Sequence, residues 1–234
     1  MIPLRDDAPR YSTPYVNYFL LGLNTLVFLF ELSLPPDARQ SFIFQFGVVP
    51  ARITALLQGA PATVPGPSLL PILTSMFLHA SWMHLIFNMW ALYIFGDNIE
   101  DYLGHFRYLL LYLTTGVAAS LLHVLFNPGS RVPSVGASGA IAGIMGAYFV
   151  LYPTARVLTL VPFLFVFFLW LPAWVVLGVW FLGQFLSGAA TSIAYSSQTS
   201  GGIAFWAHVG GFLAGVGLIK LFPSRPRRYR YFRW

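Results

Sequence analysis

Two residues that lie far apart in the sequence, Ser138 and His208, have the side chains that nucleophilic catalysis needs. Ser138 stands in the sequence Gly-Ala-Ser-Gly (residues 136–139), where small neighbours allow the backbone of a substrate to approach closely. A helix that begins at Ser138 offers unpaired backbone N–H groups and the positive end of its dipole to a developing oxyanion. A neutral His208 imidazole within hydrogen-bond distance would accept the serine proton. Taken alone, a serine at the start of a helix is more often an N-cap residue, so the histidine decides between the two interpretations.

A second polar pair, His84 and Asn88, is spaced four residues apart, which puts both side chains on one face of a helix. Both can donate hydrogen bonds to a developing negative charge, which suits an oxyanion site, and both could instead make polar contacts between helices. We expect structural roles for the other three histidines. These are His79, which points away from His84 on a helix, His105 beside a loop, and His123 on the third apolar segment.

The sequence lacks the residues that several other catalytic chemistries require. It has no cysteine, no H-E-x-x-H motif and no phosphate-binding glycine loop, so we expect neither a metal nor a cofactor. Of its seven acidic residues, Asp97, Glu100 and Asp101 cluster at one end of a single apolar segment. An aspartyl dyad therefore has no two suitable members, and no carboxylate is available to orient His208. The site is predicted to be a serine–histidine dyad.

The composition predicts an integral membrane protein that crosses the bilayer several times. Of the 234 residues 57% are hydrophobic and 9% are charged, with a mean hydropathy of +0.71, whereas about a quarter of a soluble domain is charged. A helix of about 20 mainly apolar residues can cross the bilayer, and six segments qualify. They are Val16–Leu34, Ser81–Ile99, Phe106–Phe126, Ser138–Pro153, Phe168–Ser187 and Ile203–Phe222. We therefore expect an all-α polytopic bundle of six transmembrane helices.

The basic residues predict how this bundle is oriented. In the six-span arrangement ten of the thirteen lie at the termini or in the loops after spans two and four, and the others are Arg39, Arg52 and Arg131. The positive-inside rule then places both termini in the cytoplasm, and we expect the inner (plasma) membrane of a bacterium. The basic residues near the carboxyl end resemble a nucleic-acid patch, but beside a membrane span an anchor to anionic lipid headgroups is the better interpretation, so no nucleic-acid partner is expected.

The predicted chain divides into a cytoplasmic amino-terminal segment (residues 1–15), a six-span membrane domain (16–222) and a basic cytoplasmic tail (223–234). The long outer loop, residues 35–80, has several prolines between short apolar stretches, which predicts short interfacial or partly inserted helices.

The fourth helix is too short to cross the bilayer, and this predicts where Ser138 lies. Pro153 limits it to about Ser138–Tyr152, or roughly 22 Å at ~1.5 Å per residue. Ser138 should therefore sit below the outer surface. Irregular backbone is tolerated at that depth only where protein buries it or where it lines a water-filled cavity, so we expect the loop before Ser138 to line such a cavity, with Ser138 at its bottom. Small residues four apart on spans four and six would let the two helices approach closely and bring Ser138 to His208.

The ordered set H-x-x-x-N, G-x-S-G and A-H-x-x-G-x-x-x-G resembles the rhomboid intramembrane serine proteases of the basic six-span bacterial type. The resemblance covers roughly residues 70–220 and includes the stretches I-E-D-Y-L-G-H-F-R-Y-L and G-A-S-G-A-I-A-G-I-M-G-A-Y. It implies Ser138 as nucleophile, His208 as general base, and an oxyanion site formed by His84, Asn88 and the backbone N–H of Ser138. Some family members carry a tyrosine where this sequence has Ala142, so another group must orient the histidine here. The Trp-Arg pair that some members have in the first loop is also not apparent.

These features predict an endopeptidase that cleaves the transmembrane segments of single- or multi-span membrane proteins at or just below the outer membrane face. A scissile segment must unwind, because a helix hides its carbonyls behind backbone hydrogen bonds. The main alternative is a catalytically inactive rhomboid-like protein that binds membrane clients, and a small transporter is the second.

Overall fold

The computed structural model describes residues 1–59, 69–163, 165–194 and 204–224. Most of the predicted basic tail (225–234), part of the long outer loop (60–68) and the first residue of the predicted sixth span, Ile203, lie outside these ranges.

Six helices coincide with the six apolar segments. They are α1 (Tyr15–Ser33), α5 (Trp82–Leu103), α6 (His105–Phe126), α7 (Ser138–Leu151), α8 (Ala173–Ala194) and α9 (Phe205–Leu218). By length and composition, three helical stretches in the described ranges can cross a membrane, namely Tyr15–Ser33, His105–Phe126 and Ala173–Ser192. Helices α7 and α9 are apolar but shorter, and α5 has the length but carries polar side chains such as His84 and Asn88. The protein is thus a mainly helical integral membrane protein.

Helix α7 lies at the centre of the fold. Every residue from Gly139 to Tyr148 is buried, and the helix packs against α5, α6 and α9. Pro153 follows it closely, as the sequence predicts, so that at ~1.5 Å per residue it is only about 21 Å long.

A three-stranded antiparallel sheet departs from the expected all-α fold. Strands β2 (Arg156–Phe163) and β3 (Phe165–Pro172) form a hairpin between α7 and α8, and β1 (Ile2–Asp6) adds to the free edge of β2. The predicted fifth span therefore starts too early, because residues 168–172 belong to β3 and the helix begins at Ala173. The predicted amino-terminal segment likewise contains a strand. The run from Arg156 to Pro172 is rich in valine and aromatic residues, which favour strands.

The long connection between α1 and α5 contains short helices. These are α2 (Pro36–Phe46), α3 (Pro50–Leu57) and α4 (Pro71–Thr74), the last followed by a 3₁₀ turn (Ser75–Phe77). Each of the three helices begins with a proline, whose missing N–H costs nothing at a helix start.

The acidic cluster of α5 holds the amino-terminal segment to one end of the bundle. The buried Glu100 carboxylate accepts hydrogen bonds from the backbone N–H groups of Val16 (2.9 Å) and Asn17 (2.7 Å), which have no partner within α1 because they lie at its start. Asp97 pairs with Arg10 at 3.1 Å.

Other contacts bring further loops to this same end of the bundle. Asp7 pairs with Arg156 (2.9 Å) at the start of β2, and Arg107 donates to the carbonyl of Pro223 (3.0 Å) after α9. Residues 7–17 and Pro223 therefore lie at the same end of the bundle.

Candidate active site

Ser138 is the first residue of α7, and its hydroxyl does not cap the helix. Ala137 occupies the N-cap position, without a side-chain hydrogen bond to the helix. The Ser138 Oγ instead lies 2.7 Å from Nε2 of His208, on α9. Both side chains are only partly buried. The serine and the histidine that the sequence singles out are therefore a hydrogen-bonded pair with access to a cavity.

The turn that presents Ser138 depends on Gly136. Its φ of +128° lies in the range that favours glycine, and its N–H donates to the carbonyl of Ser75 at 2.8 Å. A Cβ at this position would lie 2.6 Å from Cε1 of His84 and 3.7 Å from Nδ2 of Asn88. The absence of a side chain at residue 136 thus lets the predicted oxyanion residues approach the loop that leads to the serine.

Glycines allow α7 and α9 to cross in backbone contact. A Cβ on Gly211 would be only 1.9 Å from the carbonyl oxygen of Gly139, and a Cβ on Gly215 would be equally close to that of Gly143. Gly139 follows the serine directly, and Gly211 lies one helical turn after His208. The small-residue faces predicted from the sequence therefore set the distance between the dyad residues.

Gln184 on α8 is a partner of His208 that the sequence motifs do not predict. Its Oε1 lies 2.6 Å from Nδ1 of His208, on the opposite side of the ring from Ser138. A carbonyl oxygen only accepts hydrogen bonds, so this contact favours the tautomer with the proton on Nδ1 and a free lone pair on Nε2. A lone glutamine in an apolar span is costly and commonly functional, and that signal could have identified it.

Trp180, one turn before Gln184, packs beside the imidazole. The two ring centroids are 5.8 Å apart and the ring planes are tilted by 35°. Ala142, one turn after Ser138, contributes no ring. Gln184 and Trp180 both contact the His208 ring and thereby restrict its orientation.

His84 and Asn88 lie on one face of α5 and line the same cavity as the dyad. Asn88 is only 6% exposed, and its Nδ2 has no hydrogen-bond partner among the described residues. An unpaired buried amide donor is costly unless something occupies the space in front of it. Here that space is the cavity beside Ser138, where an oxyanion would form.

The cavity has a volume of about 800 Å³ and extends from the dyad to the start of the chain. Besides Ser138, His208, His84 and Asn88, its wall includes Trp180 and, further from the dyad, residues 1–3.

The other histidines differ in their surroundings. His79 precedes α5 rather than lying on it, so the expectation that a helix turns it away from His84 is wrong. Its buried ring lies 5.2 Å from that of His84, and its backbone N–H donates to Glu31. His105 contacts Glu100 at the end of the bundle, and His123 lines the cavity near Asn127.

Comparison with known proteins gives a consistent result. Residues 67–225 match the family model described as the rhomboid domain. The chain is 32% identical to "Rhomboid protein 1, mitochondrial" of Saccharomyces cerevisiae over 204 residues, which cover 85% of this chain and 51% of the relative. It is 33% identical to "Rhomboid-like protein 11, chloroplastic" of Arabidopsis thaliana over 168 residues, 68% of this chain and 55% of the relative.

A third relative carries a protease name. Over 76 residues the chain is 43% identical to "Rhomboid protease GluP" of Bacillus subtilis, and this match covers 32% of the chain and 14% of the relative. The chain thus spans about half the length, or less, of these curated relatives.

Proposed function

Because the chain belongs to the rhomboid family, we propose that it is an intramembrane serine endopeptidase that cleaves transmembrane segments of other membrane proteins. The observation that carries this proposal is the 2.7 Å hydrogen bond between Ser138 Oγ and His208 Nε2 at the wall of a cavity.

The reaction follows from the roles of these atoms. His208 Nε2 accepts the hydroxyl proton while Ser138 Oγ bonds to the scissile carbonyl carbon. The carbonyl oxygen becomes an oxyanion, which receives hydrogen bonds from His84, from Asn88 Nδ2 and from the backbone N–H of Ser138. The His208 imidazolium then gives its proton to the departing amine. This transfer accompanies cleavage of the C–N bond and leaves an acyl-enzyme. In the second half of the reaction, His208 takes a proton from a water molecule whose oxygen bonds to the acyl carbon. His208 then returns the proton to Ser138 Oγ as the C–Oγ bond breaks and the carboxylic acid product leaves.

Gln184 acts in this mechanism as a positioning residue. By accepting a hydrogen bond from the Nδ1–H of His208 it keeps the Nε2 lone pair directed at Ser138 Oγ, and it stabilises the imidazolium that forms on attack. An amide oxygen is a weaker partner for the imidazolium than a carboxylate, but burying it in an apolar span carries a smaller desolvation penalty.

The substrate must present an unwound segment to the dyad. In a regular helix each carbonyl is engaged by an N–H four residues later, so Ser138 can reach only a carbonyl that has left this ladder. Small or helix-breaking residues near the cut would lower the cost of unwinding. The short helix α7 supports a cleavage site at or just below the outer membrane face, where water can enter.

The six helices α1 and α5–α9 would form a six-span domain over residues 16–222, between the segment 1–15 and the tail 223–234. The contacts Asp7–Arg156 and Arg107–Pro223 support a common side for both termini. The excess of basic residues on that side favours the cytoplasm of a bacterial cell. Carboxyl-terminal fusions to a fluorescent protein and to alkaline phosphatase test this, since only the first should be active.

A purified labelled reporter with one transmembrane segment tests the proposed function in liposomes. Wild type should cleave it, whereas Ser138→Ala and His208→Ala, each shown to be folded, should not. Persistent cleavage by Ser138→Ala would refute the mechanism. Reporter binding with no cleavage by any variant, and no labelling of Ser138 by a fluorophosphonate, would favour the client-binding alternative.

A further inference from the structure

Strand β1 fills the gap between α5 and the hairpin. It pairs with β2 in antiparallel register, with Ile2 opposite Leu160 and Asp6 opposite Val157. On its other side, the carbonyl of Pro3 accepts a hydrogen bond from the Trp90 indole of α5 at 2.6 Å. A segment that entered this gap would therefore have to displace β1.

The gap opens directly into the active-site cavity. Residues 1–3 form part of the wall of the cavity that also contains Ser138 and Asn88. Asp6, at the other end of the strand, accepts a hydrogen bond from the Tyr148 hydroxyl, on the last turns of α7. The strand thus runs from the cavity that contains Ser138 toward the opposite end of α7.

The contacts that hold β1 in place bury little of its surface. The strand has five residues, none of them fully buried, and its register is irregular between Pro3 and Arg5. Proline has no N–H to give to the ladder. Arg5 lies over the Trp170 ring of β3 at 5.3 Å, and its side chain remains exposed. Short edge segments with so little burial detach at low free-energy cost.

An unwound substrate segment needs backbone hydrogen-bond partners, and β1 occupies those on the edge of β2. Within a membrane, backbone N–H and C=O groups must find partners in the protein, because the hydrocarbon offers none. A substrate stretched out to reach Ser138 has left its own helical ladder, and the edge of β2 offers a new one. Addition of an extended segment to a free sheet edge is a common way of binding peptides.

We propose that β1 occupies the position on the edge of β2 that an extended, apolar segment of the substrate takes during cleavage. This inference rests on the proposed function. It makes β2 the substrate-docking strand and β1 an internal competitor that leaves before the segment binds.

A reversible disulfide tests the displacement of β1. Because the sequence has no native cysteine, the two introduced cysteines can pair only with each other within one chain. The variant Ile2→Cys/Leu160→Cys joins a β1–β2 pair, and the matched control Leu160→Cys/Phe168→Cys joins the same β2 residue to β3. Facing residues in antiparallel strands lie within the Cα separation that disulfides accept. For each variant, reporter cleavage and fluorophosphonate labelling of Ser138 are compared between the oxidised and reduced forms.

We expect oxidation to lower kcat/KM for the reporter by about tenfold or more in the β1–β2 variant, because the tethered strand cannot leave its site. The control should show equal rates in both forms. Labelling of Ser138 by the small probe should not change in either variant. Equal reporter rates for oxidised and reduced Ile2→Cys/Leu160→Cys would overturn the proposal, and so would a parallel loss of cleavage and labelling, because the lock would then be disturbing the dyad itself.

Weakening β1 gives the opposite test without a cross-link. Ile2→Gly lowers strand propensity and should raise kcat/KM by about two- to fivefold through a lower KM, with kcat unchanged. An unchanged or higher KM would contradict the competition. Cleavage that does not depend on Ser138 would refute the proposed function itself. Cleavage that depends on Ser138, with neither Ile2→Cys/Leu160→Cys nor Ile2→Gly behaving as expected, would refute only the role of β1.

Discussion

Replacing Gly211 by alanine should separate the two dyad residues. The new Cβ would lie 1.9 Å from the carbonyl oxygen of Gly139, whereas ordinary contact begins at 3.4 Å, so α7 and α9 must move apart by about 1.5 Å. Both glycines lie within one helical turn of Ser138 or His208. The movement would stretch the Oγ–Nε2 distance from 2.7 Å to beyond about 3.5 Å, where no hydrogen bond remains.

A misplacement of about 1 Å can reduce a catalytic rate ~10²-fold, so we expect reporter kcat to fall by about that factor or more. Gly217→Ala is the matched control, since it lies on the same helix and a Cβ there would have no atom of the described residues within 4 Å. Both variants are first compared with wild type by helical content and thermal unfolding in detergent. A folded Gly211→Ala protein that cleaves the reporter within about threefold of the control would refute the idea that this helix crossing sets the dyad geometry.

Substitutions at three further positions test the oxyanion site, the partner of His208 and a contact that holds the segment after β1. Asn88→Ala should lower kcat by ~10²–10³ without abolishing it, and an unchanged rate would remove Asn88 from the oxyanion site. Gln184→Leu should lower kcat more than it changes KM. Gln184→Glu should retain much of the wild-type kcat and move the acid limb of the pH–rate profile to higher pH, because a carboxylate favours protonated His208. An equal loss of kcat in the two variants would contradict the positioning role. The backbone N–H of Arg156, and then its side chain, hold the pKa of Asp7 below its ordinary value. The stabilisation from this exposed contact, at most about 1 kcal/mol, is therefore present above the ordinary pKa of Asp7 and lost as the pH falls through the lowered one. Amide exchange in β1 should be faster in Asp7→Asn than in wild type at neutral pH and equal in the two near pH ~2; a difference that persists at low pH would contradict this.

The sequence predicts the Ser138–His208 pair because glycine spacing indicates which two helices pack closely. Glycines four residues apart have one main use in apolar helices, which is close packing, and Ser138 and His208 lie on the two helices that carry them. Gln184 is different, because no spacing relates it to His208, which lies 24 residues further along the chain. Only the three-dimensional packing of α8 against α9 reveals that contact.

The sheet is not predictable from the sequence for a different reason. An uninterrupted apolar run has no period that separates a buried strand from a helix, so the sequence alone places residues 168–172 in the fifth span. Pro162 within this run and Pro172 at its end argue against a continuous helix and favour a hairpin. The strand β1 is too short to show a pattern of its own, and it forms only because β2 offers an edge.

Covalent labelling tests the central claim, that His208 activates Ser138 as a nucleophile, more directly than any other measurement. The protein in detergent is treated with a fluorophosphonate, digested and mapped by mass spectrometry. A single adduct on Ser138 is expected, absent in His208→Ala and unchanged in Ser120→Ala, a control serine that lines the same cavity. Two results would contradict the account. One is adduct formation on Ser138 at the wild-type rate in His208→Ala, and the other is reporter cleavage by protein in which no serine forms an adduct.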